Sequence, residues 1–218
     1  MNLKTRPLGI KSYGSIGHLP SSRLGKGDRK CDNGQASIAI YKTRDRFDRV
    51  IVQEKLDGSN VGVARIDGML YPLTRAGYLA SDSSSNIGVL VIGFTAEQDR
   101  FLAVLSEGER LCGKWLLQGH SARYELQQEP FVAFDLIAGN TRTADAEFSE
   151  RVHPGNFVTL RVIHQGDALS AEKALDLLGT YGFHGAKDPV EEAIWRVESV
   201  IRKQGLKAIA KRVRSSSQ

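Results

Sequence analysis

The chain has 218 residues, of which 41% are hydrophobic and 25% are charged, and its formal net charge at pH 7 is +5. Its length suits one domain with a substantial core, and its apolar runs fall short of the ~20 residues that cross a bilayer. The two cysteines, Cys31 and Cys112, form no Cys-x-x-Cys pair, which argues against a disulfide scaffold or a zinc ribbon. The polar N-terminus lacks the features of a secretory signal, so we expect a cytoplasmic protein.

Residues 12–34 are rich in glycine, serine and charge, and predict irregular structure. Short β-branched runs then predict strands over 36–42 and 49–54. Two further runs flank Asp67-Gly68, a dipeptide typical of a type I′ hairpin, and predict paired strands over 61–66 and 69–74. After a region rich in serine and glycine, the apolar spacing predicts a helix over 95–106, with Thr95 as its N-cap.

The second half of the chain predicts more strands than helices. Strands are expected over 110–117, 131–137, 157–164, 193–197 and 206–213. A helix is expected over 170–178, because Ser170 can cap its start and Gly179 can end it. Hairpin connections favour antiparallel pairing, so the predicted fold class is α+β rather than a doubly wound sheet. We expect one domain over 1–218, with no separate accessory domain.

Positive charge is concentrated in the C-terminal segment, from about residue 199. No acidic residue follows Ser199, and six basic residues do: Arg202, Lys203, Lys207, Lys211, Arg212 and Arg214. Without these six charges the rest of the chain carries +5 − 6 = −1. This distribution is compatible with a polyanionic partner, although a solvated tail would have the same composition.

The segment from Glu54 to Asn60 places a lysine, Lys55, at the end of a predicted strand and follows it with a polar turn. The sheet would fix this lysine while its side chain faces the turn. An amine must lose a proton before it attacks, and partial burial or nearby cations favour that loss. Gly58 would let the backbone come close to a phosphate. By itself, the local pattern is also typical of a surface hairpin.

Six segments in order carry a wider resemblance: Tyr13 to Arg23, Glu54 to Asn60, Leu73 to Tyr78, Pro130 to Leu136, Glu191 to Glu198, and Ile209 to Arg214. Together they resemble the RNA ligase family of the covalent nucleotidyltransferases, which also include DNA ligases and capping enzymes. The resemblance implies an α+β nucleotidyltransferase domain, built of antiparallel sheets with flanking helices and an ATP cleft between them.

The resemblance also implies a reaction and its substrates. Lys55 would attack the α-phosphate of ATP, expel pyrophosphate and hold AMP as a phosphoramidate. AMP would then pass to an RNA 5′-phosphate, and a 3′-hydroxyl would displace it to seal the strand. A covalent nucleophile thus divides one hard condensation into easier displacements. The expected partners are RNA ends, and the expected cofactors are ATP and Mg²⁺.

Nucleotide contacts are implied for eight residues: Glu54, Asp57, Gly58, Asn60, Arg75, Phe134, Lys207 and Lys211. Glu54 would meet the adenine edge and Phe134 would stack on the base, although a core role fits Phe134 as well. Arg75 would grip a phosphate or strand end, and Lys211 would bind the α-phosphate, with Lys207 as the alternative. Glu191 matches the glutamate on the metal side, which implies Mg²⁺.

Two positions depart from the family pattern, and three other functions stay open. Lys114 stands where relatives carry a ribose-binding glutamate, and Glu192 stands where they carry glycine. The alternatives are DNA sealing or capping, a non-catalytic nucleic-acid-binding relative, and an adenylating enzyme with another substrate. No histidine pair has metal-site spacing, and His184 is expected to be a surface or structural residue.

Overall fold

The computed structural model describes residues 6–22, 24–82, 97–117, 122–190 and 192–199, together with the backbone of 207–212. The strands in these ranges are β1 Gly17–His18, β2 Asp48–Glu54, β3 Ser59–Ile66, β4 Met69–Thr74, β5 Glu109–Trp115, β6 Phe131–Ala138, β7 Thr141–Arg142, β8 Val158–Thr159, β9 Val162–Gly166, β10 Glu192–Ser199 and β11 Lys207–Arg212. The helices are α1 Asn33–Ile40, α2 Gln98–Val104, α3 Asp145–Val152 and α4 Ala171–Leu178. No described helix has the length and apolar character that a membrane span requires.

The chain divides into two compact units, each assembled from separate stretches of sequence. The first unit comprises residues 1–14, 57–120 and 128–159, and the second unit comprises 15–56, 121–127 and 160–218. Each unit contains one sheet and two of the described helices. Neither unit is a continuous stretch of sequence, so the division does not correspond to two successive domains. The single domain expected over 1–218 stays a prediction.

The first unit is built on a sheet with the strand order β4-β3-β5-β6-β7, and β8 pairs with β6. All its pairings are antiparallel except that of β6 with β8. The predicted hairpin between β3 and β4 is confirmed, since Asp67 and Gly68 have φ values of 51° and 73°. Both values are positive, as a type I′ turn requires.

The core of the first unit lies between this sheet and two helices. It combines strand residues with apolar residues of α2 and α3: Val61, Val63, Leu111, Trp115, Phe131, Leu136, Phe101, Val104, Phe148 and Val152. Helix α2 falls within the predicted range 95–106, whereas Thr95 lies outside the described residues. Helix α3 was not predicted, although Phe148 and Val152 lie four positions apart and face the core together.

The second unit contains a sheet with the order β1-β11-β10-β2-β9, in which only β1 pairs in parallel. Strand β2 lies between β10 and β9, and Val50, Val52 and Trp195 are fully buried in its core. Helix α4 confirms the prediction for 170–178, because the Ser170 hydroxyl accepts from the backbone of Lys173 and Gly179 ends the helix.

The strand predicted over 36–42 is wrong, because this segment belongs to helix α1. The Asp32 carboxylate caps the helix by accepting from the backbone N–H groups of Gly34, at 2.8 Å, and Gln35, at 3.3 Å. Ala36 and Ala39 are both buried on one face of α1. In a strand, residues three apart would point to opposite faces.

The single strand predicted over 157–164 is also wrong. The β-branched run is broken at residues 160–161, and its two parts belong to different sheets. Strand β8 pairs in parallel with β6 in the first unit, whereas β9 pairs with β2 in the second. Composition cannot show such a break, because both halves are equally rich in strand-forming residues.

Candidate active site

Lys55 follows the last residue of the buried strand β2 and is held there by two contacts with Glu192. Its backbone N–H donates to the Glu192 carbonyl at 3.1 Å, so the two residues lie abreast on neighbouring strands. The side chains are also paired, because Lys55 Nζ donates to the Glu192 carboxylate. Their exposed side-chain fractions are 27% for Lys55 and 18% for Glu192. The amine is therefore partly sheltered and has a defined anionic partner.

Glu54 is fully buried, and its carboxylate is engaged by a later loop of the same unit. Oε2 accepts from the Phe183 backbone N–H at 3.0 Å and from His184 Nδ1 at 2.7 Å. Oε1 is buried and finds no hydrogen-bond partner in the described part of the chain. Gly182 packs so closely on this oxygen that a Cβ atom would collide with it. The carboxylate of Glu54 is thus bound by donors of the protein itself. Its contact with adenine stays a prediction.

His184 is thus a structural residue, as expected, but its attachment to Glu54 was not foreseen. The two residues are 130 positions apart, and no spacing rule connects them. The only sequence signal is the glycine pair, Gly182 and Gly185, that brackets Phe183 and His184. Both glycines have positive φ, at 60° and 76°, and both lack room for a Cβ atom. Such glycines mark a loop that passes close to other atoms.

Strand β11 returns the basic C-terminal segment to the level of Lys55. Ala193 on β10 pairs with Glu54 on one side and with Lys211 on the other. At the usual strand spacing, the backbones of Glu54 and Lys211 are therefore about 10 Å apart. Lys207 pairs with Val197, near the opposite end of the strand. By register, Lys211 is the better placed of the two candidate phosphate-binding lysines.

The described part of the chain contains no cluster of side chains that could form a metal site by itself. Glu191, the residue expected on the metal side, lies outside the described residues. The residues that the structure describes contain no group of three or more His, Cys, Asp or Glu side chains placed to hold an ion. Mg²⁺, however, commonly binds one or two carboxylates and completes its shell with phosphate oxygens and water. Binding of Mg²⁺ in this way needs no cluster of three protein side chains, so it is compatible with the described residues.

The other part of the lysine motif belongs to the first unit, which the chain enters at Asp57. Gly58 is buried, and a Cβ atom there would lie 2.7 Å from the carbonyl oxygen of Trp115, so this position requires glycine. Lys114 Nζ donates to the Gly58 carbonyl at 2.9 Å. The departure at Lys114 thus supports the backbone of the motif. On β3, Asn60 Oδ1 is buried and has no hydrogen-bond partner among the described residues.

Arg75 and Phe134 also lie in the first unit. Arg75 is exposed, and its guanidinium donates to the Gly14 carbonyl at 3.2 Å. Phe134 is 7% exposed, and its ring packs edge-on against Tyr13 with 4.9 Å between the centroids. This packing supports the core role that the sequence left open beside base stacking. The exposed guanidinium of Arg75 retains the geometry for a phosphate contact.

We expect replacement of Lys114 by methionine to lower the free energy of unfolding by about 1 kcal/mol, because the Gly58 carbonyl loses a partly buried donor. Urea denaturation measures the change. The matched control is Lys187→Met, whose amine pairs with Glu125 at the exposed surface and should contribute close to nothing. Equal losses in the two variants would contradict a supporting role for Lys114.

Comparison with known proteins gives a consistent family and fold. The sequence profile of the RNA ligase family matches residues 48–213. An uncharacterized protein of Methanocaldococcus jannaschii is 36% identical over 53 residues, which are 23% of this chain and 13% of that protein.

Two solved structures illustrate the fold. An archaeal ATP-dependent RNA ligase aligns with a TM-score of 0.52 and 17% identity, over 76% of this chain and 42% of its own. Naegleria gruberi RNA ligase with PPi aligns with a TM-score of 0.58 and 16% identity, over 97% and 61%. The chain thus spans 42–61% of the length of these proteins. The alignments confirm the expected α+β fold of antiparallel sheets.

Proposed function

The chain belongs to the RNA ligase family, and from that membership we propose that it is an ATP-dependent RNA ligase with a lysyl-AMP intermediate on Lys55. Its α+β fold is shared with ATP-dependent RNA ligases. The observation that carries the proposal is the placement of Lys55, whose side chain is partly exposed at the end of a buried interior strand. A nucleophile needs both the fixed backbone and the accessible nitrogen.

In the proposed first step, the neutral amine of Lys55 attacks the α-phosphorus of ATP. A phosphorus–nitrogen bond forms, and the bond from the α-phosphorus to the bridging oxygen of pyrophosphate breaks. Pyrophosphate leaves with that electron pair, and the proton lost by the amine passes to water. In the next steps, AMP moves to an RNA 5′-phosphate, and the 3′-hydroxyl of the other end displaces it.

Features within each unit support phosphate and nucleotide binding. In the second unit, Lys211 is at the level of Glu54 by register. In the first unit, Arg75 presents an exposed guanidinium. Asn60 offers a buried amide oxygen that a hydroxyl or amino group of a nucleotide could satisfy. The six basic residues after Ser199 suit a polyanion such as RNA, whose binding is largely electrostatic.

A divalent ion would assist the chemistry by neutralising phosphate charge. We propose that Glu191 would supply a carboxylate ligand to this ion, with phosphate oxygens and water as the other ligands. A lysine-to-alanine variant of Naegleria gruberi RNA ligase has been solved with ATP and Mn, at 15% identity and a TM-score of 0.58. That precedent supports the pairing of ATP with a divalent metal in this fold.

The decisive experiment supplies ATP labelled at the α-phosphate with Mg²⁺, followed by unlabelled RNA that carries a 5′-phosphate and a 3′-hydroxyl. We expect a labelled protein, then labelled 5′-adenylated RNA, then a sealed strand that releases labelled AMP. Parallel reactions with DNA ends determine whether RNA or DNA is sealed, and reactions with α-labelled GTP determine which nucleotide is used. Label that stays on the protein with every oligonucleotide would contradict ligation, and RNA binding without any label would contradict catalysis.

A further inference from the structure

We propose that Tyr181, Phe183 and Arg161, which we call the aromatic patch, hold single-stranded RNA close to Lys55. Bases stack on the two rings, and the guanidinium of Arg161 binds a phosphate. The choice of RNA as the ligand rests on the proposed function. The aromatic patch adds to that function a surface for the strand, which the lysine motif does not supply.

The two rings are exposed although the loop that carries them is anchored by hydrogen bonds. Tyr181 is 55% exposed and Phe183 is 49% exposed. The residues that alternate with them face the protein, since Gly182 packs against the Glu54 carboxylate and the buried His184 is hydrogen-bonded to it. The anchor therefore leaves both rings on the solvent side of the loop.

This loop lies beside the strand that ends at the proposed nucleophile. The Phe183 backbone N–H donates to Glu54 Oε2 at 3.0 Å, and Glu54 directly precedes Lys55. Arg161 is fixed at the same level, because its carbonyl accepts from the Glu54 backbone N–H at 3.3 Å. All of these residues belong to the second unit. A strand held by the aromatic patch would therefore run close to Lys55.

Arg161 gives the aromatic patch the positive charge that an RNA ligand requires. Its guanidinium carbon lies 5.6 Å from the centroid of the Phe183 ring, within the range of a cation–π contact. The residue is exposed, and it forms no ion pair within the described part of the chain. Aromatic rings combined with arginine suit single-stranded nucleic acid, because each base has a face that stacks and each linkage carries a negative charge.

The charges around the loop are compatible with a polyanion. Glu125 and Asp188 lie next to the loop, and each of them is paired with a basic residue of the same unit. The basic C-terminal segment returns to this end of the sheet, since Lys211 and Glu54 pair with the same residue of β10. These surroundings favour RNA as the ligand of the aromatic patch.

Exposed rings also occur where two proteins bind each other, and that explanation makes a different prediction. A protein interface needs apolar area, which leucine supplies as well as phenylalanine does. Stacking on a base needs a planar ring. Phe183→Leu therefore separates the two explanations, and Phe183→Trp is its matched control, because this variant keeps a ring that can stack.

The first measurement is the affinity of the full chain for a short fluorescent single-stranded RNA with a 5′-phosphate, determined by anisotropy without ATP. We expect Phe183→Ala, Phe183→Leu and Tyr181→Ala each to weaken binding about tenfold. Phe183→Trp should bind as the wild type does. Tyr41→Ala is the second control, because Tyr41 is an exposed ring in the connection to the start of β2, at the opposite end of that strand from Lys55.

The second measurement separates the stacking of bases from the binding of phosphates. An RNA with abasic sugars should bind the wild type about tenfold more weakly than the intact RNA. The double variant Tyr181→Ala/Phe183→Ala should bind both RNAs alike, because it has no ring to lose. Arg161→Gln should reduce the slope of log affinity against log salt concentration by about 0.7, as expected for one phosphate contact to a single strand.

Unchanged RNA affinity in Phe183→Ala and Tyr181→Ala would overturn the aromatic patch. Wild-type affinity in Phe183→Leu would also overturn it and would favour a protein interface, and so would a wild type that binds no RNA. Thermal unfolding verifies that the variants are folded, which we expect because each keeps the backbone N–H that Glu54 accepts from.

The protein–AMP adduct of the wild type, formed from α-labelled ATP without RNA, tests the proposed function separately. If RNA affinity depends on the rings but no adduct forms, the aromatic patch stands and the ligase function fails. If the adduct forms and RNA affinity is independent of the rings, only the aromatic patch fails.

Discussion

Replacement of Lys55 by alanine is expected to abolish the covalent protein–AMP adduct, with a loss in rate of about 10⁴-fold or more. We expect no other lysine to replace it, because the attacking nitrogen must lie in line with the departing pyrophosphate. The adduct is detected as α-label that remains with the protein after denaturation, and peptide mapping assigns it to a residue.

The matched control for this prediction is Lys55→Arg. A guanidinium keeps the positive charge and can keep the contact with Glu192, but it stays protonated and does not act as a nucleophile. We therefore expect Lys55→Arg to unfold at nearly the wild-type temperature and still to form no adduct. An adduct in either variant at the wild-type rate would mean that a different residue carries AMP.

The second large effect concerns stability. We expect Glu54→Ala to lower the free energy of unfolding by about 3–5 kcal/mol, because Phe183 N–H and His184 Nδ1 lose their buried acceptor and a cavity remains. Glu54→Gln should cost less, since its amide oxygen can still accept from one of these donors. Chemical denaturation of the three proteins gives the comparison.

Glu107→Ala provides the control, because Glu107 also accepts from two backbone N–H groups, those of Asp67 and Gly68, but in an exposed hairpin. Water can replace an exposed acceptor, so the expected loss is about 1 kcal/mol or less. Similar losses of stability for Glu54→Ala and Glu107→Ala would show that the buried hydrogen bonds of Glu54 to Phe183 and His184 contribute no more than exposed ones.

Sequence patterns correctly predicted the elements whose formation depends on a few neighbouring residues. The hairpin at Asp67-Gly68 depends on the φ preference of two residues, and helix α4 on a cap and a terminal glycine, so both could be recognised from sequence. The isoleucines of the segment over 36–42 favour a strand by composition, whereas the helix observed there depends on the Asp32 cap, which precedes the segment. The split between β8 and β9 depends on tertiary pairing, which single-sequence propensity does not contain.

The candidate site divides in the same way. Lys55 and the turn after it form a contiguous motif, and the sequence identified them together. The partners of this motif are distant, since Glu192 and His184 lie 137 and 130 positions from the residues they contact. No periodicity links such positions, and only the folded sheet shows that the departure at Glu192 meets the amine. The contact of Lys114 with Gly58 was hidden for the same reason.

The position of β2 has a consequence for biosynthesis. Both strands that flank it, β9 and β10, are encoded after it, the second of them almost 140 residues later. A ribosome therefore releases the strand that leads to Lys55 long before its neighbours exist, and such distant pairing is slow to form. A nascent chain arrested before residue 192 should expose one flank of this strand to chaperones, and it should gain protection only when β10 emerges.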